Sequence, residues 1–328
     1  MRYFGSKAST LDVLASSIGP PATAHRSTFC DPFAGLGVVG SRFKELGYSV
    51  TSGDVLTFAH HFQTARLVLS QQPEFRSLES RTQGVDPLSF LNAATPVRSW
   101  VYREFSVKRH FFTPRNGAKI DAVRRILDRW RREGALSPVQ EAYLYAALVD
   151  SADRVANTAG TYYAHLKGWT RRALNDFVIR PLVPAPGPPA KAILADALDV
   201  ARIAKWDVLY LDPPYNDRDH SRYYHFPETL ATGRPPYASG ASGVPRLKLA
   251  RKSRFYTRSS ADALQELLRR SSFRRLVVHY SDAGSISQEQ LRQILSDYGR
   301  VTEEQITASG YRTTAGSRSV MHRLYTVV

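Results

Sequence analysis

The chain has 328 residues, 43% of them hydrophobic, which excludes a wholly disordered polypeptide and fits one large domain with an insertion, or two domains. Its single cysteine, Cys30, excludes an internal disulfide framework and a cysteine-ligated zinc site, and it reads as a small buried hydrophobe. A net charge of +16 points to an acidic partner, while the absence of any run near ~18 apolar residues, or of an apolar signal core in MRYFGSKAST, leads to the expectation of a soluble cytoplasmic protein.

In chain order, residues 28–60 read as strand, glycine loop, helix and strand. A short apolar run from Ser27 to Cys30 ends at Asp31, Gly35 and Gly37 make the turn, and Val38 to Leu46 carries apolar residues at helical spacing. Gly47 stops that helix, and Tyr48 to Thr51 begins a strand that ends at Asp54. This is the opening of a doubly wound α/β unit. From about His60 to Arg180 the chain turns rich in arginine and aromatics, with helices predicted over Lys119–Arg132 and Pro138–Ala152. A stiff proline-rich connector follows at residues 181–189. Strands are then predicted over 192–194, 206–211, 274–280, 300–307 and 320–328, with helices over 261–270 and 287–298. The economical organisation is an α/β domain formed by residues 1–60 and 191–328, interrupted by a mainly helical module at 61–190.

The basic charge is localised. From Arg98 to Glu133 there are 11 basic and 4 acidic residues, and from Arg246 to Arg275 there are 10 and 2, so the two windows hold 15 of the 16 net charges. Such clustering is the footprint of phosphate-backbone binding, the alternative being a solubilising surface. Phe105-Ser106-Val107-Lys108-Arg109-His110-Phe111-Phe112 interleaves cations with aromatics, and residues 162–169 (YYAHLKGW) repeat the mixture. That is what backbone tracking and base stacking require, although each aromatic singly also reads as core. Lys108, Arg109, Arg115, Lys167, Arg251, Lys252 and Arg254 are the expected nucleic-acid contacts, the last three in a basic loop that would close over the polymer. The nine histidines have no metal-ligand spacing, so no metal is expected, and His279 reads as structural.

Two segments carry chemistry. In Asp31-Pro32-Phe33-Ala34-Gly35-Leu36-Gly37, glycines after a strand let the backbone approach a ligand at a helix N-terminus, and Asp54 lies where a carboxylate commonly accepts ribose hydroxyls. Gly40 completes the dinucleotide spacing, so NAD stays open on the glycines alone. The second segment, Asp212-Pro213-Pro214-Tyr215, follows the apolar strand Val208-Leu209-Tyr210-Leu211. Two prolines remove two amide donors and leave carbonyl acceptors beside a carboxylate. The Asp212 carboxylate and Pro213 carbonyl can hold both hydrogens of an exocyclic amine and free its lone pair for attack on an activated methyl. Tyr215 offers a face on which an extruded base stacks, for about 1–3 kcal/mol.

With Tyr3-Phe4-Gly5-Ser6-Lys7, the glycine loop, Asp54 and the run from Asp212 to Glu228 in this order, the chain resembles the Dam-like, alpha-group DNA amino-methyltransferases. The resemblance implies a Rossmann-like class I methyltransferase sheet with an inserted target-recognition domain, S-adenosylmethionine as cofactor, and N6 of a flipped adenine in duplex DNA as acceptor. It implies that Tyr3 and Lys7 meet the methionine end of the cofactor, that Asp31, Phe33, Gly35 and Gly37 line it, that Asp54 holds the ribose, and that Asp196 accepts from the adenine amino group. Asp196 reads equally as a helix cap. Asp212, Pro213 and Tyr215 would be catalytic. The enzyme is expected to act as a monomer on DNA, nucleoid-associated in the cytoplasm, and an enzyme with a companion restriction endonuclease and a solitary regulatory methylase read alike. An RNA base-amino methyltransferase, a DNA cytosine-N4 methyltransferase and a non-catalytic DNA-binding homologue are the alternatives.

Overall fold

The computed structural model describes residues 1–3, 5–23, 26–215, 219–234, 237–245, 253–256, 259–313 and 316–328, the stretch 307–320 as backbone alone. It divides into two compact units. One comprises Met1–Gly5, Leu56–Pro184 and His220–Arg251; the other comprises Ser6–Val55, Ala185–Asp219 and Lys252–Val328.

The second unit is built on a seven-stranded sheet. Its strands are β1 (Thr28–Asp31), β2 (Ser49–Asp54), β3 (Lys191–Leu194), β4 (Lys205–Leu211), β5 (Ser272–Ser281), β6 (Val301–Thr313) and β7 (Gly316–Val327), in spatial order β3-β2-β1-β4-β5-β7-β6. The first five run parallel, while β7 is antiparallel to both β5 and β6. Central strands of such a sheet are covered on both faces and therefore read as unbroken apolar runs, as β4 does. Cys30, Leu209 and Leu211 face one core with Leu264, Leu267, Leu291 and Leu295 from the helices Ser260–Arg270 and Gln288–Ser296. On the other face Phe29 stacks on Phe43 at 4.3 Å between ring centres. The strand order reverses direction between β1 and β4. In open α/β sheets that switch point, at the carboxyl ends of the strands, is where ligands bind.

The first unit is mainly helical. Helices Pro114–Arg132 and Pro138–Arg154 both start on a proline behind a hydroxyl cap, Thr113 accepting from the Asn116 amide and Ser137 from the Gln140 amide. Shorter helices include Thr57–Gln63 and His225–Thr232. The buried Glu228 carboxylate ties these two, accepting the amides of Thr57 and Phe58 at 3.0 Å each. Residues Tyr102–Val107 form a π-helical turn, and the fully buried Asp121 carboxylate takes the amides of Ser99, Val101 and Tyr102 at its start. No helix of the described residues is long and apolar enough to cross a membrane.

Candidate active site

The site is assembled at the carboxyl ends of β1, β2 and β4. β1 delivers Asp31, which is 2% exposed and whose Oδ1 accepts the Phe33 amide at 3.2 Å. That turn leads into a loop where Gly35 (φ 50°) and Gly37 (φ 74°) take left-handed backbone, a conformation that side chains with a Cβ disfavour. Gly37 is then the N-cap of helix Val38–Glu45. β2 delivers Asp54, whose Oδ2 accepts the Gly35 amide at 3.2 Å and whose carbonyl accepts the Ala195 amide. Asp196, just beyond β3, caps helix Ala197–Ala201 by accepting the Leu198 amide at 3.0 Å. Phe33 packs edge-on against Phe255.

β4 delivers Asp212-Pro213-Pro214-Tyr215. Lys7 Nζ lies 2.5 Å from Asp212 Oδ2, and both side chains are largely buried, at 7% and 16% exposure. The other oxygen, Asp212 Oδ1, is buried and has no hydrogen-bond partner among the described residues. Burial raises the Asp212 pKa above the usual carboxylate range, and the Lys7 charge and hydrogen bond oppose that rise. Asp31 is pushed well up by burial and by the nearby Asp212 charge, with Lys7 again opposing. Asp31 and Asp212 thus both face the Lys7 ammonium. The Tyr215 carbonyl accepts the Ser285 amide at 2.9 Å, and its ring is met edge-on by Tyr280 and His322.

The expected site residues divide accordingly. Lys7, Asp31, Phe33, Gly35, Gly37, Asp54, Asp196, Asp212, Pro213 and Tyr215 all belong to the second unit. Tyr3 belongs to the first, where its ring stacks on Tyr224 at 4.8 Å and its hydroxyl lies 3.3 Å from His220 Nδ1.

The basic windows are less free than their composition implies. Arg109 is 8% exposed, paired with Glu104 at 3.0 Å, and it donates to the carbonyls of Ala238 and Gly240. Lys108 pairs with Glu104, Arg115 with Asp176, Arg124 with Asp121 and Asp128, and Arg254 with Glu266. Lys167, Arg125 and Arg129 are exposed. Arg251 and Lys252 lie outside the described residues. Of the aromatics read as a stacking surface, Phe105, Phe111, Phe112 and Tyr162 are fully buried; Phe105, Phe112 and Tyr162 pack on Phe226, and Phe111 packs on Phe105 and Tyr162, so they form the core of the helical unit. Tyr163 and Trp169 stay exposed, at 46% and 39%. Sequence reasoning missed the contribution of His322, which becomes visible only once β7 is paired with β5.

Residues 3–294 match the family model described as the D12 class N6 adenine-specific DNA methyltransferase. Among curated proteins, the chain is 31% identical over 322 residues to the Type II methyltransferase M.FokI of Planomicrobium okeanokoites, covering 95% of this chain and 49% of that protein. It is 30% identical to the modification methylase LlaI of Lactococcus lactis subsp. lactis, covering 98% and 52%. It is 29% identical to the Type II methyltransferase M.NlaIII of Neisseria lactamica, covering 92% and 89%. The chain therefore spans about half the length of the first two relatives and most of the third. With the family model matching most of its length, and the ordered motifs gathered on one sheet, the chain belongs to the D12 class N6 adenine-specific DNA methyltransferase family.

Proposed function

We propose that this chain transfers a methyl group from S-adenosylmethionine to N6 of an adenine rotated out of duplex DNA, with the helical unit recognising the target site. The observation that carries this reading is Asp212-Pro213-Pro214-Tyr215 at the carboxyl end of β4, with one carboxylate oxygen of Asp212 buried and open to a donor. Asp212 and the Pro213 carbonyl accept the two amino hydrogens, which favours a pyramidal nitrogen with an available lone pair. Tyr215 supplies the stacking face that holds the extruded base in line. Asp212, whose charged form the bond to Lys7 favours against burial, would take the proton released from the methylated nitrogen.

The residues present fit the family's cofactor. Carboxyl groups of Asp31 and Asp212 stand beside the glycine loop, and left-handed glycines bring bare backbone to a nucleoside. Asp31, Phe33, Gly35 and Gly37 would line it, Asp54 would hold the ribose, and Tyr3 and Lys7 would meet its amino-acid end. Asp196 would accept from its adenine, as the resemblance implies, through the oxygen that does not cap helix Ala197–Ala201. Once bound, S-adenosylmethionine supplies the electrophilic methyl. Exposed Lys108, Arg115 and Lys167, with Arg254 and the basic segment around Arg251 and Lys252, would contact phosphates. The chain would act as a monomer on DNA, and a companion restriction endonuclease would share its site.

Incubation with methyl-labelled donor and equal amounts of duplex DNA and structured RNA, followed by nucleoside analysis, tests the proposal. Label in N6-methyladenine from DNA is expected. Label confined to cytosine overturns the choice of base, and label confined to RNA overturns the choice of polymer.

A further inference from the structure

Behind Tyr215 lies a polar chain that the methyl-transfer reading leaves unused. Tyr210 on β4, His279 on β5 and His322 on β7 stand on three neighbouring strands. The Tyr210 hydroxyl is 3.3 Å from His279 Nδ1, and His279 Nε2 is 3.1 Å from His322 Nδ1. Tyr210 and His279 are fully buried and His322 is 6% exposed. Three polar groups in the middle of a sheet cost desolvation that apolar side chains would avoid, unless each is hydrogen-bonded, as these are. The chain ends on the tetrapeptide: the His322 ring meets Tyr215 edge-on, at 5.5 Å between centres and 88° between planes, and Tyr280 meets it at 6.0 Å and 76°.

We propose that the Tyr210–His279–His322 chain is a positioning device for Tyr215, which sets the attitude of the face on which the extruded base stacks; the inference rests on the methyl-transfer reading above. The Tyr215 backbone is tied down through its carbonyl, and its ring is met edge-on by Tyr280 and His322, with Lys7 Nζ 5.9 Å from the ring centre. Edge-to-face contact needs the partner ring to keep one orientation. His322 keeps it because turning the imidazole over would exchange Nδ1 for a carbon and break the bond to His279. With both rings neutral the chain carries one hydrogen per link in either direction, whereas a second proton on both rings would set two N–H groups against each other. Burial, followed by the Lys7 charge, depresses both imidazoles, His322 to about 4, which keeps them in that form.

The test uses the whole chain with wild-type turnover measured first, then Tyr210→Phe, which deletes one oxygen, and His322→Phe, which keeps a ring and deletes the acceptor. Each is combined with Tyr215→Ala. The readouts are single-turnover methylation, the KM for S-adenosylmethionine, and the fluorescence of 2-aminopurine at the target adenine. We expect each single variant to lower the methylation rate roughly 3- to 10-fold, the range an aromatic pair is worth. The KM for S-adenosylmethionine should stay unchanged and the 2-aminopurine signal should alter. In the Tyr215→Ala background neither variant should lower the rate further, because the ring they position is gone. A loss of equal size with and without Tyr215 marks a merely structural role and overturns the inference, as do unchanged rates in both single variants. If the wild type makes no N6-methyladenine, the underlying reading fails instead, and the inference falls with it.

Discussion

Replacing Lys7 with methionine keeps the aliphatic stem in its buried slot and removes the ammonium bonded to Asp212. An opposite charge at this range lowers a carboxyl pKa by about 1–3 units, or about 1.4–4 kcal/mol of preference for the ionised form. In Lys7→Met that support disappears, while burial remains to push a proton onto Asp212. A protonated Asp212 has lost acceptor strength for the amine and cannot take its proton. The acid limb of kcat/KM for DNA should therefore move up by about 1–3 pH units, with activity partly recovered in alkali. Initial rates of methyl incorporation into a duplex, followed from pH 5.5 to 9, measure the shift. An unmoved acid limb, with the defect appearing as a raised KM for S-adenosylmethionine, would refute this reasoning and return Lys7 to the cofactor carboxylate alone.

Asp212→Ala should abolish methyl transfer while DNA binding, followed by gel shift, stays within a few-fold of wild type. Arg109→Met should cost about 3–5 kcal/mol in urea unfolding, because it leaves Glu104 and two carbonyls short of a buried partner. It should leave the salt dependence of DNA affinity unchanged, whereas a phosphate contact would reduce that slope by about one. His61 and His225 are buried neutral, their pKa values pushed down to about 3 and about 4 mainly by burial. Between those values and the unfolded 6.5 only the unfolded chain takes up their protons. Stability is therefore whole above pH 6.5 and falls below it, by about 2 kcal/mol per histidine at pH 5. Urea midpoints at pH 7.5 and pH 5 check this, and a pH-independent midpoint would count against buried neutral rings.

The parts of the fold legible in the sequence were those with a strong local period. β4 announces itself as four apolar residues before Asp212, and the two long helices begin on the Thr113-Pro114 and Ser137-Pro138 pairs that cap them. The glycine loop was readable because left-handed backbone calls for glycine. Burial of charge was not readable, since it depends on partners distant in sequence. Arg109 looks like any surface arginine until the segment around Ala238 and Gly240 accepts from it. The aromatics from Phe105 to Phe112 carry no mark distinguishing a stacking surface from a core. Asp196 caps a helix, whereas the resemblance would have it accept from the cofactor, and local sequence has no means of choosing. His279 and His322 are 43 residues apart and meet only through the antiparallel pairing of β5 with β7.

The two units are woven rather than strung. The chain passes from one to the other at residues 5/6, 55/56, 184/185, 219/220 and 251/252, so each is made of three separate pieces. Excising residues 61–190 would strand helix His225–Thr232, whose Phe226 packs against Phe105, Phe112 and Tyr162 of the excised segment. Exchange of specificity between relatives by recombination must therefore carry a distant segment of some thirty residues along with the insertion, or else leave Phe226 without the rings it packs on. Such linkage favours change by point substitution on exposed positions over wholesale transplantation, and it sets the boundaries that a chimera must respect to fold.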